Sequence, residues 1–469
     1  MGIDLQWAGL PDHSSSCQGP WNSGPIQSYA PRDIHIGSNS RIVKYALFIP
    51  FLLTLICNTG ICIDWAKAES DYIATREQLE KQGLPRYYVM QGLSKALVFD
   101  SRPEFGIGVH AFDQKVADNL KRAGVRFIRQ PMYWYTIENT TEPGKYDQAA
   151  LDNWDKLVKL YNQNGIIPLI VVHGNAPGCS FDNRAESYKR FASFMAFITK
   201  RYPSIRYWEL FNEMDVGFTD LFGANEQPIV PLGQRGVYYA QMLKQVYPAI
   251  KMSNPKAVVL TGGMTDYDEF PKGIYTGGGK DHFDVMNIHT YGIPLQWGFV
   301  QRGAALRKVM NVNGDAKKPL WNTEFGLDAG SIVAAWGLPN LDEDAGAIYD
   351  KHQKDMISSC LEFNKKAGLY QKCFAYQYSA GNETMNDQLK QAKLKFPAGM
   401  ELDDYGFGFV RRDGMTPRPI FQYLIDAKVN DKAWLLKPVK TKIELYGKST
   451  RMKLNSDYPE EVIVPRAAK

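Results

Sequence analysis

Two short segments of this chain each place a glutamate after an apolar run. They are Trp208–Glu213, which ends in Asn-Glu, and Leu320–Gly326, which contains Asn-Thr-Glu. In a barrel of parallel strands, glutamates at such positions lie at the carboxyl-terminal mouth, where active sites are built. Two carboxylates facing one another there suit cleavage of a glycosidic bond, since one protonates the leaving oxygen and the other attacks or stabilises the sugar cation. The candidate catalytic pair is Glu213 and Glu324.

The elements that must position this pair alternate between strand and helix patterns from about Phe105 onward. The strand candidates are short apolar runs without strict alternation, as expected for strands that are buried on both faces. Their regular alternation with helices predicts eight βα units rather than two layers or two domains. The predicted strands are Phe105–His110, Phe127–Gln130, Ile167–His173, Tyr207–Phe211, Ala257–Thr261, Val285–His289, Pro319–Asn322 and Cys373–Gln377.

The stretches between these strands include clear amphipathic helices. Asp147–Asn164 and Ala185–Arg201 each carry their large apolar residues on one face, and Asn164-Gly165 is an ordinary helix end. The predicted fold class is therefore α/β, a (β/α)₈ TIM barrel, with the catalytic barrel over residues 105–429. A short lead-in helix and connector is predicted over 69–104, and a small C-terminal appendage over 430–469.

Residues 1–68 have a different character. Lys44, the apolar stretch Tyr45–Cys57 and the sequence Ala66-Lys67-Ala68 are the three parts of a secretory signal peptide. The polar residues Met1–Ser40 precede it, and a translation start placed too early is one explanation. Cleavage after Ala68 predicts a secreted or periplasmic protein. The alternative is that residues 45–63 remain as an uncleaved membrane anchor, with the body of the protein on the outer side of the membrane.

The composition and net charge of the chain limit the classes of partner that it is expected to bind. The chain is 44% hydrophobic and 22% charged, and its net charge of +5 comes from interspersed basic and acidic residues. No nucleic-acid partner is expected from that pattern. Outside the N-terminal region the cysteines are Cys179, Cys360 and Cys373; a Cys360–Cys373 bridge and two buried thiols are both open readings. No Cys/His spacing suggests zinc, and no metal or organic cofactor is expected.

With the two glutamates in place on strands four and seven, the chain resembles the retaining glycoside hydrolases of clan A. This (β/α)₈ superfamily includes family 5 cellulases and family 39 β-xylosidases. In the clan, the acid/base is the glutamate of an Asn-Glu pair ending strand four, and the nucleophile ends strand seven. Asn212-Glu213 and Glu324 match both positions. The resemblance covers Phe105–Ala427.

This assignment gives the two carboxylates opposite needs. Glu324, as nucleophile, must stay ionised and therefore needs hydrogen-bond donors around it. Glu213, as general acid, must hold a proton near neutral pH, which the partner's negative charge or burial favours. A retaining mechanism predicts carboxyl groups about 5–5.5 Å apart, whereas an inverting mechanism leaves roughly 6.5–9.5 Å for a water molecule.

The resemblance also implies roles for polar residues at other strand ends. Arg129, ending strand two, matches a clan arginine that hydrogen-bonds the nucleophile; a structural ion pair is the alternative. His173, ending strand three, resembles a histidine that lines the sugar site. His289 and Tyr291, after strand six, match a pair that orients the catalytic glutamates. Asn212 matches the residue that bonds the sugar 2-hydroxyl.

Aromatic residues near the mouth are candidate platforms for sugar rings. Trp134, within Tyr133-Trp134-Tyr135, and Trp297 either stack on sugars or pack in the core. Strand eight ends Phe374-Ala375-Tyr376-Gln377, so an aromatic floor is present where relatives carry Trp, with Gln377 as a candidate substrate contact. Met214-Asp215 stands where many relatives have Pro after Asn-Glu. The missing Trp leaves the identity of the bound sugar open more than the reaction, and Met214-Asp215 leaves the shape of the loop after the acid/base open.

The sequence thus predicts an exported retaining β-glycoside hydrolase that acts on a poly- or oligosaccharide by double displacement. A transglycosylase that uses the same site is one alternative. A non-catalytic polysaccharide-binding protein, or a component of exopolysaccharide export, is another. The loops Asp215–Gln234 and Ser379–Asp404 are long enough to close one end of a groove or to leave it open.

Overall fold

The computed structural model describes residues 104–216, 230–292, 295–336, 338–379, 389, 391–427 and 429. The predicted signal peptide or anchor, nearly all of the lead-in segment and the C-terminal appendage lie outside these residues, as do parts of the two long loops. Within this described part of the chain, no helix is both long and apolar enough to cross a membrane.

Eight parallel strands form one sheet in the order β5-β4-β3-β2-β1-β8-β7-β6. Parallel bridges Leu260↔Val285 and Met264↔Ile288 join the two outer strands and close the barrel. The predicted (β/α)₈ barrel is confirmed. In chain order the elements are β1 Glu104–Gly108, α1 Gln114–Arg122, β2 Phe127–Tyr133, α2 Trp134–Ile137, α3 Gln148–Asn164, β3 Ile167–His173, α4 Arg184–Arg201, β4 Tyr207–Asn212, α5 Leu232–Ser253, β5 Val258–Gly263, α6 Glu269–Thr276, β6 Met286–His289, α7 Leu295–Val312, β7 Leu320–Phe325, α8 Ala329–Trp336, α9 Ala345–Ala367, β8 Lys372–Ala375, a 3₁₀ helix Leu402–Tyr405, and α10 Pro419–Ala427.

The helix boundaries follow from local chemistry. The Asp147 carboxylate accepts from the backbone N–H of Ala150 and caps α3, which ends at Gly165 in the left-handed region with φ 65°. Asp344 caps α9 in the same way, and Gly368 ends that helix with φ 63°. These caps confirm the sequence signal at Asn164-Gly165 and hold the helices that cover the barrel.

The interior of the barrel is filled from the bottom upward. A layer of apolar side chains closes the lower end: Phe127, Leu169, Leu260, Val285, Trp321 and Phe374. The buried ammonium of Lys372 lies over the ring of Phe127, 4.2 Å from its centroid, and pairs with Glu104 at the barrel bottom. Above this layer the buried residues that face the barrel interior include polar ones such as Arg129, Glu209 and Glu324. The candidate catalytic residues therefore lie towards the carboxyl-terminal mouth.

Several strand ends differ from the sequence prediction. β2 continues to Tyr133, which places Arg129 inside the strand rather than at its end. β7 continues to Phe325, so Glu324 belongs to the strand itself. In contrast, β1 stops at Gly108 and β8 at Ala375, and His110 and Gln377 follow in loops. Apolar runs therefore predict where strands begin. They do not predict where strands end, because a strand continues through polar residues whose side chains form hydrogen bonds inside the barrel.

Candidate active site

The two candidate catalytic glutamates meet at the mouth of the barrel. A carboxylate oxygen of Glu213, a carboxylate oxygen of Glu324 and a ring nitrogen of His289 all lie within 4.8 Å of one another. Glu213 follows β4 and is partly exposed, whereas Glu324 is almost fully buried on β7. The Glu213 carboxylate is thus the more accessible of the two.

Arg129 organises the buried side of this site. Its Nη1 donates to Glu324 Oε1 at 2.5 Å, and its Nη2 donates to Asn212 Oδ1 at 2.7 Å. Its Nε and Nη2 also form a two-pronged contact with Glu209, at 2.9 and 2.8 Å. Burial alone lowers the pKa of Arg129, but the charges of Glu209 and Glu324 outweigh it, so the net pKa is raised and the guanidinium stays charged.

Glu209 is a site residue that the sequence analysis did not single out. It is fully buried on β4, pairs with Arg129 and accepts from the backbone N–H of Gly263 at 3.1 Å. A signal was present, because a carboxylate inside the apolar run Trp208–Phe211 must find a buried cation. Glu209 anchors one side of the guanidinium so that the other side presents donors to Glu324 and Asn212.

Glu324 is held in its ionised form. Burial raises the pKa of its carboxyl, but the neighbouring His289 and Arg129 charges and the Tyr291 hydroxyl lower it, with a net lowering. Tyr291 donates to Glu324 Oε2 at 2.8 Å. Burial and the charge of Glu324 raise the pKa of Tyr291 well above its usual value, so the phenol remains a neutral donor. Both oxygens of Glu324 therefore face donors.

Replacing Tyr291 by Phe should cost activity and change its pH dependence. The lost hydrogen bond to a charged group predicts a fall in kcat/KM of roughly 10- to 100-fold. Because that bond lowers the pKa of Glu324, its loss raises the pKa, and the acidic limb of the pH profile moves to higher pH. Tyr275→Phe is the matched control, since Tyr275 donates to Asp315 far from the mouth. An unmoved acidic limb would contradict the assignment.

His289 connects the two carboxylates. Its Nδ1 lies 2.8 Å from Glu213 Oε1 and 3.6 Å from Glu324 Oε2. Burial lowers the pKa of the imidazole, but the charges of Glu324 and Glu213 raise it, and the net pKa is raised. The ring fits because Gly263 has no side chain; a Cβ there would lie 1.9 Å from His289 Nε2. The Gly262-Gly263 end of β5 thus makes room for the histidine.

Two consecutive residues, Asn212 and Glu213, both face the site, which a regular strand does not allow. The Phe211 ring instead packs outward, 4.7 Å from the ring of Phe191 on α4. Left-handed backbone at Phe211, with φ 66°, and at Glu213, with φ 46°, breaks the alternation. The backbone N–H of Glu213 donates to Gly263 O at 2.8 Å and fixes the turn. Strained backbone at this point places the candidate acid/base.

Met214 follows Asn-Glu in this chain, and the next residue, Asp215, ties the same turn to its neighbours. Its Oδ2 accepts from the backbone N–H groups of Thr265 and Asp266, at 2.8 and 2.6 Å, and from the Thr265 hydroxyl at 2.7 Å. Its carbonyl accepts from Arg235 Nη1 at 2.6 Å. The departure from the clan pattern therefore still produces an anchored turn.

The predicted stacking platform at Trp134 is a core residue in the structure. Trp134 is 0% exposed, packs against Phe191 and Phe194, and donates through Nε1 to Glu138 at 2.7 Å. The hypothesis failed because side chains alternate across β2 and its extension, which turns Trp134 away from the mouth. Its neighbours Tyr133 and Tyr135 lie at the surface instead, with centroids 5.5 Å apart.

Trp134→Ala should lower the free energy of unfolding by about 3–5 kcal/mol, because it removes a large buried ring together with the indole donor to Glu138 Oε2. KM should remain unchanged well below the melting transition. Chemical denaturation and steady-state kinetics on the same preparation measure the two effects. Tyr135→Ala is the matched comparison, since Tyr135 is 45% exposed and should cost little stability. A raised KM in Trp134→Ala would indicate that Trp134 contributes to substrate binding after all.

The remaining candidates divide between the mouth and its surroundings. His173 lies at the mouth, with its ring 4.7 Å from that of Tyr133. Trp297 is on α7, and its side chain lies outside what the structure describes. Gln377 is buried, and the preceding Tyr376 is a partly exposed aromatic residue. Tyr376 meets His110, Tyr291 and Phe407 edge to face. His110, the last residue of the first predicted strand, is a further mouth residue that the sequence analysis did not propose for the site.

The ligand atoms of Glu213, His289 and Glu324 are spaced so that they could hold a metal ion. However, Arg129 and Tyr291 already donate to both oxygens of Glu324. These donors favour an ionised carboxylate at Glu324, which is what a nucleophile requires. The three cysteines Cys179, Cys360 and Cys373 are buried free thiols, so no Cys360–Cys373 bridge is present.

Comparison with known families decides the relationship. Residues 100–378, more than half of the chain, match the family model "Cellulase (glycosyl hydrolase family 5)". The chain belongs to glycosyl hydrolase family 5. Its family match contains both candidate glutamates and every other predicted site residue, and the predicted resemblance to clan A is confirmed. A search of curated proteins gave no match for this family 5 member.

Several solved structures are similar to this family 5 chain. A family 39 glycoside hydrolase from Bacteroides cellulosilyticus WH2 has 20% sequence identity and a TM-score of 0.50, with 72% of this chain and 64% of that chain covered. The exo-β-1,4-mannosidase Op5Man5 from Opitutaceae bacterium strain TAV5 has 14% identity and a TM-score of 0.48, covering 74% and 63%. A family 39 β-xylosidase from Caulobacter crescentus has 15% identity and a TM-score of 0.47, covering 71% and 72%. The chain spans less than two thirds of the length of the first two.

Proposed function

We propose that the protein is a retaining β-glycoside hydrolase that acts on a poly- or oligosaccharide. The observation that carries the proposal is the spacing of the two glutamates, whose nearest carboxylate oxygens lie within 4.8 Å. Such proximity favours the retaining arrangement, in which the two carboxyl groups lie about 5–5.5 Å apart, over the roughly 6.5–9.5 Å of an inverting enzyme.

The proposed mechanism assigns one role to each carboxylate. Glu324, ionised between Arg129 and Tyr291, attacks the anomeric carbon, while Glu213 donates its proton to the departing oxygen. The bond to the leaving group breaks and a glycosyl ester forms on Glu324. Glu213 then takes a proton from water, which attacks the same carbon and restores the Glu324 carboxylate. Asn212, held by Arg129, is placed to contact the sugar 2-hydroxyl.

The test is the configuration of the first sugar released. The protein is incubated with a panel of aryl β-glycosides and β-linked polysaccharides, and ¹H NMR records the anomeric signal before mutarotation. The β-anomer as first product supports retention and names the sugar, whereas the α-anomer overturns it. Added acceptor sugars distinguish hydrolysis from transglycosylation. If no substrate on the panel is cleaved while polysaccharide is bound, the non-catalytic alternative replaces the proposal.

Export is a separate part of the proposal. It rests on the basic, apolar and small-residue pattern of residues 44–68, which lie outside the described structure. Mass spectrometry of the mature protein tests it. A first residue of Glu69 supports cleavage and release, and retention of residues 45–63 in a membrane fraction supports the anchor instead.

A further inference from the structure

A line of buried hydrogen bonds crosses three strands and ends at the candidate acid/base. It includes Thr261 on β5, Asn287 on β6 and Thr323 on β7, which are all at most 1% exposed. It reaches His289 and then Glu213. The proposed mechanism uses only the last member, Glu213. The first three are fully buried, and their hydrogen-bond partners fix their donor and acceptor directions.

The direction is set at a backbone carbonyl, which can only accept. Asn287 Nδ2 lies 3.3 Å from Thr261 O, so the amide nitrogen must face that carbonyl. The amide oxygen of Asn287 therefore faces Thr323, whose Oγ1 donates to it at 2.8 Å. The single proton of the Thr323 hydroxyl is thus committed to Asn287.

The next contact follows from this commitment. Thr323 Oγ1 lies 3.1 Å from His289 Nε2, and with its proton directed to Asn287 it can only accept there. His289 Nε2 must therefore carry a proton. In a neutral imidazole, Nδ1 is then the acceptor, and it faces Glu213 Oε1 at 2.8 Å. One further proton is shared between His289 and Glu213, and it lies between His289 Nδ1 and Glu213 Oε1.

We propose that Thr323 and Asn287 are positioning residues that hold His289 in the Nε2–H tautomer, so that Glu213 keeps its acid proton. A neutral His289 of this tautomer accepts from protonated Glu213. The opposite tautomer would donate from Nδ1 and stabilise Glu213 as a carboxylate, which is unable to protonate a leaving group. This inference rests on the proposed function of Glu213.

The charged groups around His289 do not take the place of the Thr323 hydroxyl as the hydrogen-bond partner of Nε2. Glu213 and Glu324 face Nδ1 from β4 and β7. Glu209 Oε1 lies 3.9 Å from Nε2, beyond hydrogen-bond distance. Burial and Arg129 on β2 oppose a positive imidazole, whereas Glu324 and Glu213 favour one and raise the net pKa of His289. In the charged ring the proton shared with Glu213 lies on Nδ1, and Nε2–H still donates to Thr323. Among the described residues, the Thr323 hydroxyl is the acceptor within hydrogen-bond distance of Nε2.

The test variant is Thr323→Val, which removes the hydroxyl and nearly keeps the shape. Its alkaline limb of kcat/KM should move to lower pH by about one unit. The loss should be large for alkyl β-glycosides, whose leaving groups need a proton, and small for dinitrophenyl β-glycosides, which leave without one. Thr323→Ser keeps the hydroxyl and should restore the wild-type limb. Thr199→Val removes a buried hydroxyl on α4 and controls for general destabilisation.

A second readout does not require turnover. In the full chain labelled with ¹⁵N-histidine, the ring nitrogens of His289 should show a protonated Nε2 from neutral to alkaline pH, and Thr323→Val should populate Nδ1–H. The chain has seven histidines, so a His289→Gln spectrum assigns the signals. An unprotonated Nε2 in the wild type, or an equal loss on both substrate classes in Thr323→Val, overturns the inference. Absence of wild-type glycosidase activity alone would overturn the proposed function and leave the tautomer to the NMR result.

Discussion

Glu324→Ala should lower kcat/KM by roughly four to six orders of magnitude, as expected when a nucleophile that forms a covalent intermediate is removed. Added azide should restore part of the turnover, because it occupies the space of the missing carboxylate. Azide then attacks a β-glycoside once, from the α face, so the product should be an α-glycosyl azide. Product configuration is measured by NMR.

Glu213→Ala provides the contrast within the same site. There the glycosyl ester on Glu324 still forms from substrates with good leaving groups, and azide attacks it from the β face. Two inversions give a β-glycosyl azide. Opposite configurations from the two variants would separate nucleophile from acid/base in one experiment. Glu186→Ala, a glutamate exposed on α4, should behave as wild type. Turnover of Glu324→Ala near the wild-type rate would overturn the mechanism.

Arg129→Met should remove both stability and activity. It leaves the carboxylates of Glu209 and Glu324 buried without their cation, which predicts a loss of about 3–5 kcal/mol in the free energy of unfolding. The lost positive charge also raises the pKa of Glu324, so the acidic limb of kcat/KM moves to higher pH. Urea denaturation at neutral pH and pH–rate profiles measure the two effects.

The matched control is Arg190→Met, because Arg190 forms an equally buried pair with Glu138 away from the mouth. It should cost comparable stability and leave the pH profile in place. If Arg129→Met and Arg190→Met prove alike in kinetics, Arg129 is a structural ion pair and no more. Arg129→Lys is a further comparison. It keeps the positive charge but lacks the planar guanidinium whose Nη2 contacts both Glu209 and Asn212.

The barrel was predictable because its signal is spread over the whole chain. Each strand is an apolar run that is buried on both faces, and β3 was predicted to the residue as Ile167–His173. The ends of β2 and β7 were not predictable from hydropathy, since Arg129 and Glu324 are polar residues inside strands. Their side chains satisfy one another across the barrel, a pairing between distant residues that local composition does not express.

The candidate site was predictable where a strand end carries its own motif. Asn212, Glu213, His289 and Glu324 were found this way, and the structure brings them together. Glu209 and the Thr261–Asn287–Thr323 line were missed because their partners lie on other strands. Trp134 was misplaced because its orientation depends on strand alternation and not on its position beside the mouth.

The left-handed backbone at Phe211 and Glu213 has a consequence for engineering. A side chain at φ 46° costs of order 1 kcal/mol relative to glycine. Thermal selection without an activity screen would therefore reward glycine at position 213 and discard the acid/base. Evolution of a more heat-resistant enzyme from this chain needs turnover as a second criterion, because the most direct local relief of strain falls on the residue that donates the proton.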